Sequence, residues 1–354
     1  MENFIVKSII HDYEVKFINN TRETILQHIE EGDCLIIDKN IVRIYSDQFA
    51  GLLMDHRSII IDATETQKSY EGVVPIIQNL IENDFKKNNK LFAIGGGITQ
   101  DITAFISSIL FRGICWYFFP TTLLSQGDSC IGSKTSINFR SYKNQIGGFY
   151  PPNKIFIDLG FLDSLDSIQK NSGMGEMCHY FIISGYEDFF RFKNEYLSAL
   201  NDKKILQGIL LRSLEIKKRY IEIDEHDTQE RQILNYGHSF GHALESLTNF
   251  RIPHGIAVSF GMDIANFISV KMGYIPDTIR NEILEVLHHV WDGYSIRNLS
   301  LEDFIHALSK DKKNVGKQLG LVLNKGYGNL SKEFLTIDSN FLSYLDEYFS
   351  TEWD

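Results

Sequence analysis

A series of short apolar runs in the first half of the chain constrains the fold more than any other feature. The runs end at an acid, a glycine or a proline, and they are Cys34–Asp38, Ile59–Asp62, Lys90–Gly95, Trp116–Pro120 and Ile155–Asp158. Runs of this length that are almost wholly apolar are typical of strands buried on both faces of a parallel sheet. Helical patterns such as Ser69–Asn83 and Asp101–Leu110 lie between them. The alternation predicts an α/β fold with a doubly wound parallel sheet.

The pattern changes near Leu165. Beyond about residue 167 long helical periodicities predominate, as in Ile205–Glu222, Gly255–Met272 and Arg280–Trp291, and strands become rare. The sequence shows no internal repeat and no low-complexity linker. We therefore expect two domains, residues 1–165 around the sheet and residues 166–354 mainly helical.

The composition excludes several classes of protein. A net charge of −11 over 354 residues argues against a nucleic-acid-binding protein, although a local basic cluster could still bind a small anion. The four cysteines form no CxxC pair, which indicates reduced thiols in the cytoplasm. The N-terminal segment is too polar for a signal peptide, and no apolar run reaches the roughly eighteen residues of a membrane span. We therefore expect a cytoplasmic protein with no nucleic-acid or membrane partner.

Polar residues and glycines follow three of the predicted strands. They are Asp38 and Asn40 after the first, Glu65 and Lys68 after the second, and Gly95, Gly96 and Gly97 after the third. Open parallel sheets bind ligands at this edge, and glycines there allow backbone N–H groups to approach a phosphate. The triplet is not a GxGxxG motif, so a simple tight turn explains it equally well. Asp101 could likewise cap the next helix instead of contacting a ligand.

Two later stretches have the composition of phosphate-binding loops. Gln126–Thr135 contains Asp128 and Lys134, and Lys143–Gly148 contains Lys143 and Asn144. Lysine, amide and hydroxyl groups among small residues suit phosphate recognition, but they also suit a solvated surface loop. Further cationic residues come later in the chain, at Lys217, Arg231, Lys312 and Lys313. If all of these converge in the fold, they form a pocket for at least one phosphate.

The segment Arg231–His254 concentrates imidazole groups. Arg231, Asn235, His238, His242 and Glu245 are spaced three or four apart, which places them on one stripe of a helix. Such a stripe beside bulky apolar residues is costly unless the polar groups have partners. A half-exposed helix with two hydrogen-bonded histidines would be the simpler explanation. A third histidine in a Pro-His-Gly turn, however, favours a site.

A carboxylate from the helical half completes a possible metal site. Glu176 with His238 and His254 would form a three-ligand zinc site with open positions. His242 follows His238 by one helical turn and could serve the substrate as an acid or base. A metal that polarises a hydroxyl beside a nicotinamide can assist hydride transfer from the carbon that bears it.

Eight motifs together carry a resemblance to a known family. They are GGGxxxD (Gly95–Asp101), FRG (Phe111–Gly113), PTTLL (Pro120–Leu124), DSxxGxKT (Asp128–Thr135), KNxIGxFYxP (Lys143–Pro152), DExxxxxR (Asp224–Arg231), LNYGHSFGHAxE (Leu234–Glu245) and HG (His254–Gly255). In this order, over roughly residues 35 to 330, the series resembles 3-dehydroquinate synthase, a family of sugar phosphate cyclases. The motifs are very specific for the cyclases as a class and less specific for one substrate.

The resemblance implies a fold, cofactors and partners. The fold would be an N-terminal Rossmann-like doubly wound sheet domain that binds NAD, and a C-terminal mainly helical domain that binds metal and substrate. The cofactors would be NAD and a divalent metal, Zn or Co. The chain would form a homodimer and act on a small sugar phosphate as a phosphate-eliminating lyase of the shikimate pathway. The reaction would proceed by oxidation of a hydroxyl, elimination of phosphate, reduction and an intramolecular aldol step.

The resemblance also assigns residues to each ligand. For the metal it implies Glu176, His238 and His254. For NAD it implies Asp38, Glu65, Lys68, Gly96, Gly97, Asp101, Thr121, Thr122, Lys143, Phe161, Ser164 and Leu165, beside which Asn40 and Gly95 are candidates by position. For the reaction and the substrate it implies Asp128, Lys134, Asn144, Lys217, Arg231, Asn235, His242 and one or both of Lys312 and Lys313. Arg112 matches an arginine that reaches the phosphate pocket of the neighbouring subunit.

Three positions depart from the family pattern. His179 stands where a substrate-contacting lysine follows the metal-ligand glutamate, and Gln100 and Ser133 replace glycines. His179 leaves open a sister cyclase that acts on another sugar phosphate, such as sedoheptulose 7-phosphate. A metal-dependent polyol dehydrogenase and a non-catalytic sugar-phosphate binder are further alternatives. The several cationic residues oppose the former, and the intact ligand set opposes the latter.

Overall fold

The computed structural model describes residues 3–140, 142–291, 293–297, 299–310, 314, 316 and 318–351. The candidate substrate residues Lys312 and Lys313 lie outside the described residues. The chain divides into two compact units. The first comprises Met1–Leu165 with Lys218–His226, and the second comprises Asp166–Lys217 with Asp227–Asp354. We expected residues 166–354 to form a single domain, whereas Lys218–His226 belongs to the first unit.

The first unit contains nine strands and five α-helices within the described residues. In chain order they are β1 (Asn3–Val6), β2 (Tyr13–Ile18), α1 (Thr21–His28), β3 (Cys34–Asp38), α2 (Lys39–Ile44), α3 (Ser46–Asp55), β4 (Arg57–Ile61), α4 (Tyr70–Glu82), β5 (Leu91–Gly95), α5 (Gly97–Ile109), β6 (Trp116–Pro120), β7 (Lys134–Phe139), β8 (Tyr142–Phe149) and β9 (Lys154–Asp158). Short 3-10 turns at Leu110–Arg112 and Leu159–Ser164 and a π-helical turn at Ser125–Ser129 connect them.

A seven-stranded sheet organises the first unit, in the order β1-β2-β9-β6-β5-β3-β4. All neighbouring strands are parallel except β1 and β2, which pair antiparallel. Leu35, Ile37, Phe92, Ile94 and Phe119 of the central strands are fully buried. Burial on both faces explains why these strands are apolar runs without alternation. The predicted parallel sheet is confirmed.

A separate hairpin forms where the sequence indicated only loops. Strands β7 and β8 pair antiparallel, with Lys134 opposite Phe149 and a register irregularity near Ile137. The interpretation of Lys134 and Asn144 as loop residues is therefore wrong, because each lies in a strand. The Gly and Asn residues concealed the strand pattern, since these two types are depleted in strands.

The second unit is mainly helical. It contains α6 (Ser167–Ser184), α7 (Tyr186–Ala199), α8 (Lys203–Ile223), a 3-10 turn at Glu230–Asn235, α9 (His238–Leu247), α10 (His254–Lys271), α11 (Asp277–Trp291), α12 (Leu301–Ser309), β10 (Gln318–Asn324), β11 (Leu330–Thr336) and α13 (Ser339–Thr351). The last residues of α8, from Lys218, count with the first unit. Helix α10 is buried along nearly its whole length, from Gly255 to Ser269. Across the described residues, no helix has the length and apolar character needed to cross a membrane.

The expected helical stripe from Arg231 to Glu245 is interrupted. Arg231 and Asn235 lie in the 3-10 turn, Gly237 adopts a left-handed conformation with φ of 79°, and α9 begins at His238. A single helix through all five residues is therefore wrong. The break follows from glycine, which tolerates a positive φ without a steric penalty.

Candidate active site

Three predicted metal ligands converge in the second unit. Glu176 lies in the middle of α6, and His238 and His254 are the first residues of α9 and α10. The Nε2 atom of His238 is 3.3 Å from Oε1 of Glu176, and Nε2 of His254 is 3.5 Å from Oε2. One ligand atom from each residue lies within 4.8 Å of the others. This spacing suits a single cation held by one carboxylate and two imidazoles.

Glycines bring α6 and α10 close enough to form this centre. A Cβ atom on Gly255 would lie 1.7 Å from the backbone oxygen of Ser172, and one on Gly175 would lie 2.4 Å from the backbone oxygen of Gly255. The two backbones therefore touch beside Glu176 and His254. Helix α9 meets α10 in the same way, since a Cβ on Gly261 would lie 2.0 Å from the backbone oxygen of Gly237.

The electrostatics of Glu176 suit a cation. Its side chain is only 3% exposed, and its Oε2 atom has no hydrogen-bond partner among the described residues. Burial acts to raise the pKa of Glu176, but His238, His254 and His179 together hold that pKa well below its ordinary value. A buried ionised carboxylate is costly unless a positive charge compensates it. A metal ion bound by these three residues would provide that charge.

Two further imidazoles adjoin the trio. His242, exposed on α9, has its ring centroid 5.6 Å from that of His238 and 5.7 Å from that of His254. His179 is fully buried on α6, and its ring meets His238 edge to face at 5.4 Å. The structure thus brings together all the histidines to which the sequence analysis gave a role.

The other candidates of the second unit within the described residues are Lys217, Arg231 and Asn235. Lys217, on α8, and Arg231, in the 3-10 turn, are both less than a tenth exposed. The amide of Asn235 donates a 3.1 Å hydrogen bond to the backbone oxygen of Gln232. Lysine and arginine are seldom buried without a polar or anionic partner, and both positions are compatible with binding of an anionic ligand.

A second polar cluster lies in the first unit around Lys68. Its Nζ atom is 3.1 Å from Oδ2 of Asp101 and 3.0 Å from Oδ1 of Asn144, and it lies 3.8 Å from Glu65. Lys143 forms an ion pair of 3.2 Å with Glu65. Burial raises the pKa of Asp101 to about 6, even though Lys68 opposes the shift. Asn144 was expected to contact substrate, and here it joins the residues expected to contact NAD.

The glycines of the triplet Gly95–Gly97 have different surroundings in the structure. A Cβ on Gly95 would lie 2.3 Å from Oγ1 of Thr99, so the turn itself requires this glycine. A Cβ on Gly97 would come no closer than 3.8 Å to Ser129, so the turn does not explain that one. The N-cap of α5 is Gly96, and no described side chain caps it, which rules out Asp101 as the cap. The first N–H groups of α5 therefore remain available to a phosphate.

The remaining first-unit candidates lie around this sheet edge or in turns, except Lys134, which lies in strand β7 of the hairpin. Asp38 caps α2 through the N–H of Asn40 at 2.8 Å, and burial raises its pKa. Thr121 is buried, and the Thr122 hydroxyl forms a hydrogen bond with the Ser125 hydroxyl.

Three further candidates lie in or next to the 3-10 turn at Leu159–Ser164. Phe161 packs in the hydrophobic core, Ser164 accepts a hydrogen bond from Tyr45, and Leu165 directly follows the turn. Asp128 lies in the π-helical turn. Lys134 and Arg112 are exposed.

Two polar contacts that support the candidate site residues Asp128 and His254 were not predicted from the sequence. Gln100 and Ser129 bond reciprocally, since the Gln100 amide donates to the Ser129 backbone oxygen and the Ser129 hydroxyl donates to Gln100 at 2.7 Å. The pair holds the π-helical turn that contains Asp128. The second contact joins Glu245 to His254 at 3.0 Å. Its only sequence signal was the position of Glu245 on the histidine stripe.

Comparison with known proteins identifies the family. The N-terminal domain of 3-dehydroquinate synthase matches residues 58–172, and its C-terminal domain matches residues 173–314. A 3-dehydroquinate synthase from Alkaliphilus metalliredigens is 33% identical over 343 residues, which cover 95% of this chain and 96% of the relative. The chain belongs to the 3-dehydroquinate synthase family.

Solved structures support the same family fold. The 2-epi-5-epi-valiolone synthase of Streptomyces hygroscopicus, solved with NAD+ and Zn2+ bound, has a TM-score of 0.85 and 22% identity over 96% of this chain and 97% of that chain. A 2-deoxy-scyllo-inosose synthase, solved with carbaglucose-6-phosphate, NAD+ and Co2+, has a TM-score of 0.85 and 22% identity over 98% and 99%. At 22% identity these similarities show the fold alone. The expected fold, an α/β sheet domain followed by a mainly helical domain, is confirmed.

Proposed function

We propose that the protein is a 3-dehydroquinate synthase, an NAD- and metal-dependent sugar phosphate cyclase. It would convert 3-deoxy-arabino-heptulosonate 7-phosphate to 3-dehydroquinate and inorganic phosphate, as a carbon–oxygen lyase of the shikimate pathway. The observation that carries the proposal is 33% identity to a 3-dehydroquinate synthase across 95% of the chain. Residues 1–165 would bind NAD, and residues 166–354 would bind the metal and the substrate.

The metal would be a divalent cation, Zn or Co, held by Glu176, His238 and His254. Three protein ligands leave coordination positions open, as catalytic sites require. A cation held there would supply polarisation of a substrate hydroxyl, and bound NAD would supply the acceptor for a hydride. The Nε2 atoms of both histidines lie 3.3 and 3.5 Å from the Glu176 oxygens, so the proposed ligand atoms are already close together.

NAD would lie at the sheet edge of the first unit. The uncapped N-terminus of α5 would donate N–H groups to its phosphates beside Gly96 and Gly97. Lys68 is held by Asp101 and Asn144, so its ammonium group has a fixed position at this edge. The other proposed contacts are Asp38, Asn40, Glu65, Gly95, Thr121, Thr122, Lys143, Phe161, Ser164 and Leu165.

The substrate would be bound by cationic and amide groups. Lys217 and Arg231 are buried cations suited to a carboxylate or a phosphate. His242 is exposed one helical turn after His238, where its imidazole could act on the substrate as a general acid or base. The other proposed contacts are Asp128, Lys134, Asn144, His179, Asn235, Lys312 and Lys313.

His179 favours a second candidate, a sister cyclase with a different sugar phosphate. The imidazole is fully buried against His238, where the family pattern has a lysine. An imidazole is shorter than a lysine side chain, and its charge depends on pH. A substrate that lacks the group normally bound by this lysine would suit His179 better.

The decisive experiment measures phosphate release from two substrates separately. The holoprotein with NAD and Zn2+ is given 3-deoxy-arabino-heptulosonate 7-phosphate or sedoheptulose 7-phosphate. Phosphate release from the first without net NADH supports 3-dehydroquinate synthase, and release only from the second supports the sister cyclase. Accumulating NADH would indicate a polyol dehydrogenase, and neither product would indicate a binder.

Two variants complete this experiment. His238→Ala should lose metal and turnover while it keeps the fold, and near-normal turnover would contradict the ligand assignment. If His179 reflects a changed substrate, His179→Lys should raise activity on the shikimate-pathway compound. No change would count against that explanation.

We further propose a homodimer in which Arg112 serves the site of the partner. Phe111, Arg112 and Gly113 have φ of 51°, 65° and 110°, three positive values in succession. For non-glycine residues this conformation is strained, and such strain concentrates at functional sites. Both Phe111 and Arg112 are exposed, as a group that reaches another subunit must be.

A further inference from the structure

The His254 ring lies between two carboxylates. Its Nε2 atom is 3.5 Å from Oε2 of Glu176, and its Nδ1 atom is 3.0 Å from Oε2 of Glu245. The second contact is a good hydrogen bond by distance, whereas the first is longer. The Glu245 side chain is 13% exposed and that of His254 is 33% exposed, so this hydrogen bond is partly shielded from water.

We propose that Glu245 is a positioning residue that fixes the tautomer and the orientation of His254. The inference rests on the proposed metal site and adds a residue to it. A neutral imidazole has one N–H donor and one acceptor nitrogen. If Nδ1–H donates to Glu245, the lone pair of Nε2 must point toward Glu176, where the cation would be bound. A carboxylate acceptor also makes the imidazole a stronger ligand.

His238 has the same arrangement with a weaker acceptor. Its Nδ1 atom is 3.2 Å from the backbone oxygen of Tyr236, and its Nε2 atom faces Glu176. Both histidines therefore use Nδ1 for support and Nε2 for the cation. A charged acceptor forms a stronger hydrogen bond than a neutral carbonyl. Glu245 should accordingly matter more for metal affinity than the Tyr236 oxygen does.

Helix α9 holds both parts of this arrangement. Glu245 follows His238 by seven residues, which is two helical turns on the same face. The helix thus provides one ligand directly and orients the other, which begins α10. A single rigid element can therefore keep the two imidazoles in register.

The same residues could instead form a second cation site. His242, Glu245 and His254 also have ligand atoms within 4.8 Å of one another. If that site used the Nδ1 atom of His254, which lies 3.0 Å from Glu245, the same neutral imidazole could not also offer a lone pair from Nε2 to the first site. A second cation site would also require His242, which is exposed. The hydrogen bond requires only Glu245 and His254, so it is the simpler explanation of their contact.

The test compares metal binding by the full-length wild-type protein, Glu245→Ala and Glu245→Gln. Zn2+ affinity is measured by competition with a chelator, stoichiometry by metal analysis, and ligand geometry by the visible spectrum of the Co2+ form. We expect one ion per chain in each, with the affinity of Glu245→Ala lowered about 10–100-fold and a shifted Co2+ spectrum. Glu245→Gln should lose less, because its amide oxygen can accept the same hydrogen bond without the charge.

Ser246→Ala is the matched control, because Ser246 is exposed on the same helix. It should bind Zn2+ like the wild type. Melting of the metal-free variants separates a lost fold from a lost ligand orientation, and the Gln variant carries the test if the Ala variant does not fold. Wild-type affinity and spectrum in a folded Glu245 variant would overturn the inference, as would two ions in the wild type and one in the variant. A wild-type protein that binds no metal would instead refute the proposed function.

Discussion

Replacing Gly255 with alanine should separate α6 from α10 and disrupt the metal centre. The new Cβ atom would lie 1.7 Å from the backbone oxygen of Ser172 and 3.0 Å from the backbone nitrogen of Glu176. Because the nearest atom belongs to the backbone, no side-chain rotation can relieve the clash. The first turn of α10 must retreat by more than an ångström, and His254 retreats with it.

The magnitude follows from overpacking of a buried helix contact. Forcing extra atoms into a packed interior costs about 1–3 kcal/mol, and this contact is at the upper end. Roughly 3 kcal/mol corresponds to a fall in Tm of about 6–12 °C for a domain of this size. Differential scanning calorimetry of the metal-free protein measures this loss, and chelator competition measures the accompanying loss of Zn2+ affinity.

The matched control is Gly208→Ala on α8. There the nearest atom to a new Cβ is Nη2 of Arg191 at 3.0 Å, at the end of a flexible side chain. Alanine in a helix interior is favoured over glycine by roughly 0.5–1 kcal/mol, so this variant should melt at the same temperature or slightly higher. If Gly255→Ala melts like the wild type and binds Zn2+ as tightly, the close approach of α6 and α10 does not hold the site together.

Two further predictions concern Asp101 and Arg112, both in the first unit. Burial raises the pKa of Asp101 from 3.8 to about 6, so ionisation of Asp101 destabilises the fold. This cost is absent below about pH 4 and complete above the folded pKa. The effect of Asp101→Asn on the free energy of unfolding of the NAD-free protein should therefore be more favourable at pH 8 than at pH 4 by roughly 1–3 kcal/mol, whatever the loss of the Lys68 partner costs at both pH values. Urea unfolding at both pH values measures this, and an equal effect at both would contradict it. Light scattering should give the mass of a dimer, and a mixture of inactive Arg112→Ala and His238→Ala chains should regain about a quarter of wild-type activity. Half of the dimers would be mixed, each with one complete site, and no recovery would show that Arg112 does not act on the partner's site.

The predictable part of the site was its residue types and their local spacing. Glu176, His238 and His254 were selected from the sequence as ligands, and in the structure their ligand atoms lie within 4.8 Å. The continuous helical stripe was wrong, because Gly237 interrupts the helix before His238. The pattern of three- and four-residue spacings is compatible with a helix, but it does not reveal a single residue with positive φ.

The hairpin of β7 and β8 shows a different limit. Its strands contain Gly, Ser and Asn, and their pairing is decided by partners across the hairpin rather than by local propensity. The contact of Asn144 with Lys68 follows from this pairing, and no spacing along the chain indicated it. The residues that position a ligand were therefore harder to predict than those expected to touch it.

The sequence by itself determined the parallel sheet, the mainly helical second half, the family and the set of chemical groups expected at the site. These depend on apolar periodicity and on ordered motifs, which are properties of neighbours along the chain. The tertiary structure alone decided that α6 and α10 meet at Gly255 and that Glu245 accepts a hydrogen bond from His254. Contacts between helices depend on distances of an ångström or less, which arise only when the complete packed interior fixes the position of each helix.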